Sequence, residues 1–245
     1  DVYKRQANGH MIKGWDTNDD GTYYFDLITG AMAKGDIVVD NLPCSFDTTT
    51  GIGCNLMWHS MDGKDYWYEA GKRQGYDPNN AAYRGKEIYD PASGAWYWLD
   101  NVQQGAKTVS KDVYQESEAG DWAENADGTG KWVRYDANGH MVKGEDCQNG
   151  KWYYFEPVTG AMIKGPWTLP DGRKVYYDPK TGIMQYGSVA VNNQLYYFDP
   201  VYGKMTSGTP GNFWYTIDGK SYWYENWVRQ GWPVSYTHLT LPTIL

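Results

Sequence analysis

The chain is short of several things that would name a chemistry. It has only three cysteines, Cys44, Cys54 and Cys147, and no two are spaced as CxxC, which argues against a zinc site. Basic residues are in deficit, 22 Lys and Arg against 30 Asp and Glu, for a net charge of −8. That balance argues against nucleic acid, whose phosphates need a basic footprint. No stretch reaches the ~18 consecutive apolar residues of a membrane-spanning helix. Phenylalanine is scarce, at 5. No H-E-x-x-H, G-x-S-x-G or phosphate-cradling glycine loop occurs, so the common hydrolase, zincin and nucleotide-binding signatures are absent.

What is abundant is Tyr (23), Trp (13) and Gly (29). Aromatics make up 17% of the chain. A large part of its apolar content thus lies in rings that have an apolar face and often a polar tip. That suits many small aromatic clusters better than one aliphatic core.

The residues are arranged in a repeat. KWVRYDANGHMVKG (131–144), KWYYFEPVTGAMIKG (151–165), RKVYYDPKTGIMQYG (173–187) and QLYYFDPVYGKMTSG (194–208) share one scheme. Their acidic turn residues Asp136, Glu156, Asp178 and Asp199 are spaced by 20, 22 and 21. TYYFDLITGAMAKG (22–35) is a further full copy, and Asp26 to Asp47 is again 21. Residues 42–54 are a variant, and 63–75, 85–105 and 219–231 are degenerate copies. A longer period sits above the short one: Gly63–Tyr68 recurs at Gly219–Tyr224, an offset of 156. Each unit reads as an aromatic strand, a turn such as Glu156–Gly160 and a short return. Period two places Trp152 and Tyr154 on one face and Tyr153 and Phe155 on the other. A lone hairpin is marginal in water, so the units must stack. The expected fold is all-β, an elongated solenoid of repeated β-hairpins of about 20–22 residues each.

Two blocks of repeats are expected, 7–105 and 130–232, separated by an irregular insert, 106–129, in which Val109–Glu118 could be strand or short helix. Residues 1–6, Asp1-Val2-Tyr3-Lys4-Arg5-Gln6, resemble a translated transposon-based sequencing adapter. Val234–Leu239 matches the translation of its reverse complement, so 1–6 and 233–245 are expected to be adapter-derived rather than natural. Mapping 194–206 onto 42–54 at an offset of 152 puts Cys44 and Cys54 opposite each other. A hairpin disulfide between them is expected, in an oxidising, extracellular setting.

The pattern G-K-x-Y-Y-F-D-x-x-T-G-x-M-x-x-G resembles the cell-wall-binding repeats, including choline-binding modules and the glucan-binding repeats of bacterial glucosyltransferases. The resemblance implies a hairpin solenoid on secreted or surface-attached bacterial proteins. It also implies binding of wall polysaccharide or glucan beside a catalytic or adhesive domain elsewhere in the chain. The choline-binding version ends each unit in Gly-Trp, whose ring helps to cage a quaternary ammonium. Here Gly14-Trp15 matches directly, Gly165-Pro166-Trp167 is shifted by one, and Gly35-Asp36, Gly144-Glu145 and Gly187-Ser188 lack the Trp. The pattern is therefore closer to the glucan-binding type.

Sugar rings stack their C–H faces on aromatic side chains. The candidate ligand-binding residues are Trp15, Tyr24, Trp152, Tyr154, Trp167, Tyr177 and Tyr197. The competing reading is that these rings are packing between hairpins. The recurrent carboxylates are read as turn formers rather than a catalytic pair. Asp16–Gly21 opens like a calcium loop but has Leu27 at position twelve, so it is read as a polar hairpin connection. No catalytic residue, metal or cofactor is assigned. The expected function is non-catalytic binding that anchors a partner domain. The alternatives are a structural stalk or adhesin spacer, or choline-type teichoic acid binding.

Overall fold

The computed structural model describes residues 9–116, 130–191, 194–201, 203, 213–217, 219–225 and 228–231. The termini read as adapter-derived and residues 117–129 of the expected insert lie outside them. The chain divides into two compact units, 1–142 and 143–245. Among the described residues every element is a β-strand except one 3-10 turn, Asn101–Gln103. No helix there is long and apolar enough to cross a membrane.

The first unit begins with the hairpin β1 (Gly14–Asn18) and β2 (Gly21–Phe25). Next come β3 (Gly35–Val39) and β4 (Leu42–Phe46), β5 (Met57–Met61) and β6 (Lys64–Glu69), and short β7 (Lys72–Arg73). The hairpin β8 (Gly85–Asp90) and β9 (Ala95–Asp100) follows, then β10 (Ala106–Lys107). These form one sheet ordered β3-β4-β7-β6-β10-β9-β8, with β5 also on β6. The two-residue strands β7 and β10 join neighbouring hairpins: β7 pairs β4 and β6, and β10 pairs β6 and β9. A last hairpin is β11 (Lys111–Gln115) with β12 (Lys131–Tyr135). The described part of the expected irregular insert is therefore β10 and β11. Val109–Glu118, left open between strand and short helix, is the strand β11 in its described part, entered through Ser110 at φ 48°.

The second unit holds β13 (Gly144–Gln148) with β14 (Lys151–Phe155), and β15 (Gly165–Thr168) with β16 (Lys174–Tyr177). It ends in a five-stranded sheet ordered β17 (Gly187–Val191), β18 (Gln194–Phe198), β21 (Val228–Arg229), β20 (Lys220–Glu225) and β19 (Phe213–Ile217).

The hairpins are built one strand earlier than the sequence reading places them. The aromatic strand β14 pairs with β13, which precedes it, in the register Cys147↔Trp152 and Glu145↔Tyr154. The tip is Asn149-Gly150, at φ 52° and 72°. Two successive left-handed residues make the tight turn whose twist matches that of the strands. Asp62-Gly63 and Asp40-Asn41 make the same kind of tip.

Glu156–Gly160 is a turn, but the return behind it is a single bridge, Phe155↔Met162. Such returns tie one repeat to the previous one: Met184 N donates to Trp152 O at 2.8 Å, and Gly53 N to Thr22 O at 2.7 Å.

The recurrent acid has a local task. Asp178 Oδ1 accepts from Thr181 N (2.7 Å), Lys180 N (3.0 Å) and Thr181 Oγ1 (2.9 Å). Asp26 and Asp47 repeat this with Thr29 and Thr50, and Glu156 Oε2 accepts from Thr159 N at 2.6 Å. Hydrogen bonds from the Thr amides hold Asp26, Asp47 and Asp178 below the usual carboxylate range. Burial pushes Glu156 up, and its bonds to Thr159 and Val158 more than offset this. The D-x-x-T-G signature is thus a closed turn that satisfies its own backbone.

Methionine and glycine supply the step between repeats. A Cβ at Gly30, Gly51, Gly182 or Gly203 would lie 2.0, 2.8, 2.4 or 2.4 Å from the sulfur of Met11, Met32, Met162 or Met184. All four glycines have positive φ. The turn of one repeat therefore sits directly on the methionine of the repeat before it.

The expected disulfide is not formed; Cys44, Cys54 and Cys147 are free thiols. The bridge Phe46↔Gly53 and the bond from Cys54 N to Ser45 O put Cys54 opposite Ser45, not Cys44. A one-residue difference in register turns the side chain to the other face. Cys44 accordingly packs with Val39 and Phe46, while Cys54 Sγ lies 3.4 Å from Ser45 Oγ.

Candidate functional site

The expected ligand residues fall into groups of different exposure. In the first unit, Trp15 is the second residue of β1 and stands opposite Tyr24 of β2. The rings meet edge to face at 5.1 Å, with Phe46 at 5.9 Å from Trp15. Trp15 and Tyr24 are both half-buried. Burial raises the Tyr24 hydroxyl pKa, with added repulsion from Asp40. The ammonium of Lys72, on β7, lies 4.4 Å from the Trp15 ring centre. Beside them is a polar concavity of about 460 Å³, lined by Trp15, Lys72, Asp40, Gln74, Tyr76 and Asp77 among others.

A second cluster in this unit was not expected. Trp58 takes the same place in β5, opposite Trp67 of β6. It meets Trp67 at 5.1 Å and Tyr97 at 4.9 Å. Its indole N–H donates to Asp90 at 3.1 Å. Lys107 Nζ lies 5.3 Å from the Trp58 ring and 5.9 Å from Tyr97, and pairs with Asp65 at 2.8 Å. The offset of 156 that relates 63–68 to 219–224 also carries Trp58 onto Trp214. The signal was therefore present in the sequence. Trp214 is 67% exposed and 5.3 Å from Trp223.

In the second unit, Tyr154, Trp167 and Tyr177 come together in one cluster with Leu169, Val175 and Met184. Tyr154 and Tyr177 are enclosed, at 3% and 0% exposure. Their ring faces are occupied by neighbours, so they pack hairpin on hairpin. Tyr197 is likewise buried, 5.9 Å from Tyr224. Trp167 is only half-buried and lines a groove of about 660 Å³ between the β15–β16 and β17–β18 hairpins. Pro166, Lys174, Tyr176, Tyr196 and Phe198 line it too. Of these, Tyr176, Tyr196 and Phe198 are not among the residues expected from the sequence, which are their strand neighbours Tyr177 and Tyr197.

Two polar atoms of this cluster are enclosed without a hydrogen-bond partner among the described residues, Trp167 Nε1 and the Tyr177 hydroxyl. Burial also pushes the Tyr177 hydroxyl pKa well above its ordinary range. Trp152 stands apart near the tip of its hairpin at 40% exposure. Burial in β14 rises from tip to base. Trp152 and Tyr154 thus share a face but not an environment.

The family model described as a choline-binding repeat matches residues 128–167. Glucosyltransferase-S of Streptococcus mutans serotype c is 26% identical over 193 residues, covering 77% of this chain and 13% of that protein. Glucosyltransferase-I of Streptococcus downei is 28% identical over 221 residues, covering 86% of this chain and 13% of that protein. The chain thus spans 13% of the length of these curated relatives. Among solved structures, CbpJ from Streptococcus pneumoniae TIGR4 aligns with a TM-score of 0.53 at 17% identity, covering 93% of this chain and 90% of that chain. That likeness concerns the fold. The same aromatic strand, acidic turn and Met–Gly step recur in successive units, and residues 128–167 match the choline-binding repeat.

Proposed function

We propose that the chain is a non-catalytic carbohydrate-binding module that holds a partner domain on a bacterial surface polysaccharide or glucan, outside the cell. The observation that carries this reading is the groove at Trp167. It offers a half-exposed indole and the rings of Tyr176 and Tyr196, over the buried Phe198, beside the polar heads of Thr168 and Lys174. Such a surface suits a sugar ring, which needs an aromatic platform and a few hydrogen-bonding groups at its rim. The stacking rings are Trp152 and Trp167, and in the first unit Trp15, with Tyr24 against it, borders the polar concavity that takes the sugar. Tyr154 and Tyr177 back Trp167 from inside, and Tyr197 packs beside the groove-lining strand residues. The relatives named glucosyltransferases support a glucan as the polymer. Weak contacts repeated along the chain would combine into useful avidity.

A structural spacer is the second reading. The enclosure of Tyr154, Tyr177 and Tyr197 favours it, because it shows how many rings are consumed by packing alone. Retention of the chain on insoluble glucan, on bacterial wall preparations and on a choline resin separates the readings. Retention on glucan or wall is expected. Passage through all three columns would leave only the spacer.

A further inference from the structure

The first unit fills its aromatic sites with its own cations. Trp15 and Trp58 occupy the same register position in their hairpins, each opposite an aromatic residue. Each carries a lysine ammonium, Lys72 at 4.4 Å and Lys107 at 5.3 Å from the ring centre. Both distances lie within the ~6 Å reach of a cation–π contact.

The lysines come from the two linking strands of the sheet. Lys72 is on β7 and Lys107 on β10, the two-residue strands that join one hairpin to the next. Backbone pairing therefore fixes where each side chain starts. Asp65 holds the Lys107 ammonium at 2.8 Å, and Asp90 holds the Trp58 indole at 3.1 Å. Gly14-Trp15 is the position at which a quaternary ammonium would be expected to dock, and a lysine stands on it.

We propose that Lys72 and Lys107 are tethered occupants of these sites and determine ligand class. They close Trp15 and Trp58 to quaternary ammonium groups by taking the ring face and by like-charge repulsion. What remains beside Trp15 is the polar concavity with Asp40, Gln74 and Asp77, which suits a neutral polyhydroxylated ring. The inference deepens the proposed function and rests on it for the sugar. The lysine block itself is measured with a cation, so the two can fail separately.

The test is a choline titration of the full chain with ¹⁵N-labelled tryptophan, read at the indole N–H signals, with sodium chloride as the ionic-strength control. The Trp15 and Trp58 signals are assigned by their loss in Trp15→Phe and Trp58→Phe. In the unsubstituted chain neither signal should move beyond the control. Lys107→Ala should give a saturable shift at Trp58, since the faces of Trp58 and Tyr97 and the Asp65 carboxylate are then open. Lys72→Ala should do the same at Trp15. Lys72→Arg and Lys107→Arg, which keep the charge, should stay silent. A saturable shift of Trp15 or Trp58 in the unsubstituted chain overturns the proposal. So does silence in either alanine variant whose far-ultraviolet dichroism matches that of the parent. If one variant does not fold, the other still decides. Retention on insoluble glucan is measured in parallel and reports on the polymer reading alone.

Discussion

Gly182→Ala tests the Met–Gly step between repeats. Gly182 has φ +71°, and a Cβ there would lie 2.4 Å from Met162 Sδ and 2.9 Å from its Cγ. Holding an L-residue in the left-handed region costs roughly 1–2 kcal/mol. Displacing the buried Met162 inside a packed stack adds roughly 1–2 kcal/mol, at the low end for overpacking because methionine adapts. The expected loss is therefore about 2–4 kcal/mol. Gly165→Ala is the matched control: φ is +77°, but nothing lies within 4 Å of the new Cβ. It should cost only the strain, about 1–2 kcal/mol. Urea unfolding followed by tryptophan fluorescence gives both values, with an unchanged slope as the check that the same transition is compared. Adding Met162→Ala should recover the clash term, so the two substitutions should couple favourably. Equal losses for Gly182→Ala and Gly165→Ala, within about 0.5 kcal/mol, would refute the step as the origin of the G-x-M pattern.

Three further outcomes follow from the same structure. The turn acids Asp26, Asp47, Asp178 and Glu156 have folded-state pKa values below their unfolded ones. Their stabilisation is therefore complete above the unfolded values, near 4, and is lost as pH falls through the folded ones. Urea midpoints should hold from neutral pH down to about 5 and fall below about 4, with a shallower fall in Asp178→Asn; midpoints that rise on acidification would contradict this. Burial raises the Cys44 thiol to about 11, while Cys147 is exposed. A thiol reagent should therefore label Cys147 at once and Cys44 only on unfolding, and the intact mass should show all three thiols reduced. Lys131, 1% exposed, lies 3.7 Å from Glu87, which also accepts from Gln115 (2.8 Å) and the Tyr135 hydroxyl (3.2 Å). Lys131→Met should cost about 3–5 kcal/mol by leaving that carboxylate buried without its cation, and Lys131→Met with Glu87→Leu should recover much of it in thermal unfolding.

The hairpin character of the chain was legible because its aromatic strands recur every 20–22 residues beside fixed turn chemistry. The task of the acids was legible for the same reason, since recurrence at every turn points to a local bond. The direction of the pairing was not inferred. The Asp-x-x-Thr-Gly segment is the more conspicuous turn, whereas the hairpin tip Asn149-Gly150 is a signal of only two residues. The cysteines depend on the same direction of pairing, and their expected register differs from the observed one by one residue. Within the site, the sequence separates aromatic from non-aromatic positions but not exposed rings from enclosed ones. Trp152 and Tyr154 share a face and differ from 40% to 3% exposure because one lies near the tip and the other near the stacked base. Lys72 and Lys107 were invisible as partners of Trp15 and Trp58, since each pair joins residues 57 or 49 apart in sequence through β7 or β10.

The most direct test of the central claim is a depletion isotherm on insoluble glucan for the chain and for Trp152→Ala/Trp167→Ala. The account predicts saturable binding by the chain, displacement by soluble glucan oligosaccharide rather than by choline, and at least about tenfold weaker binding by the folded variant, as expected when linked weak sites are lost. Equal binding by the two proteins, or none by the chain, would contradict it.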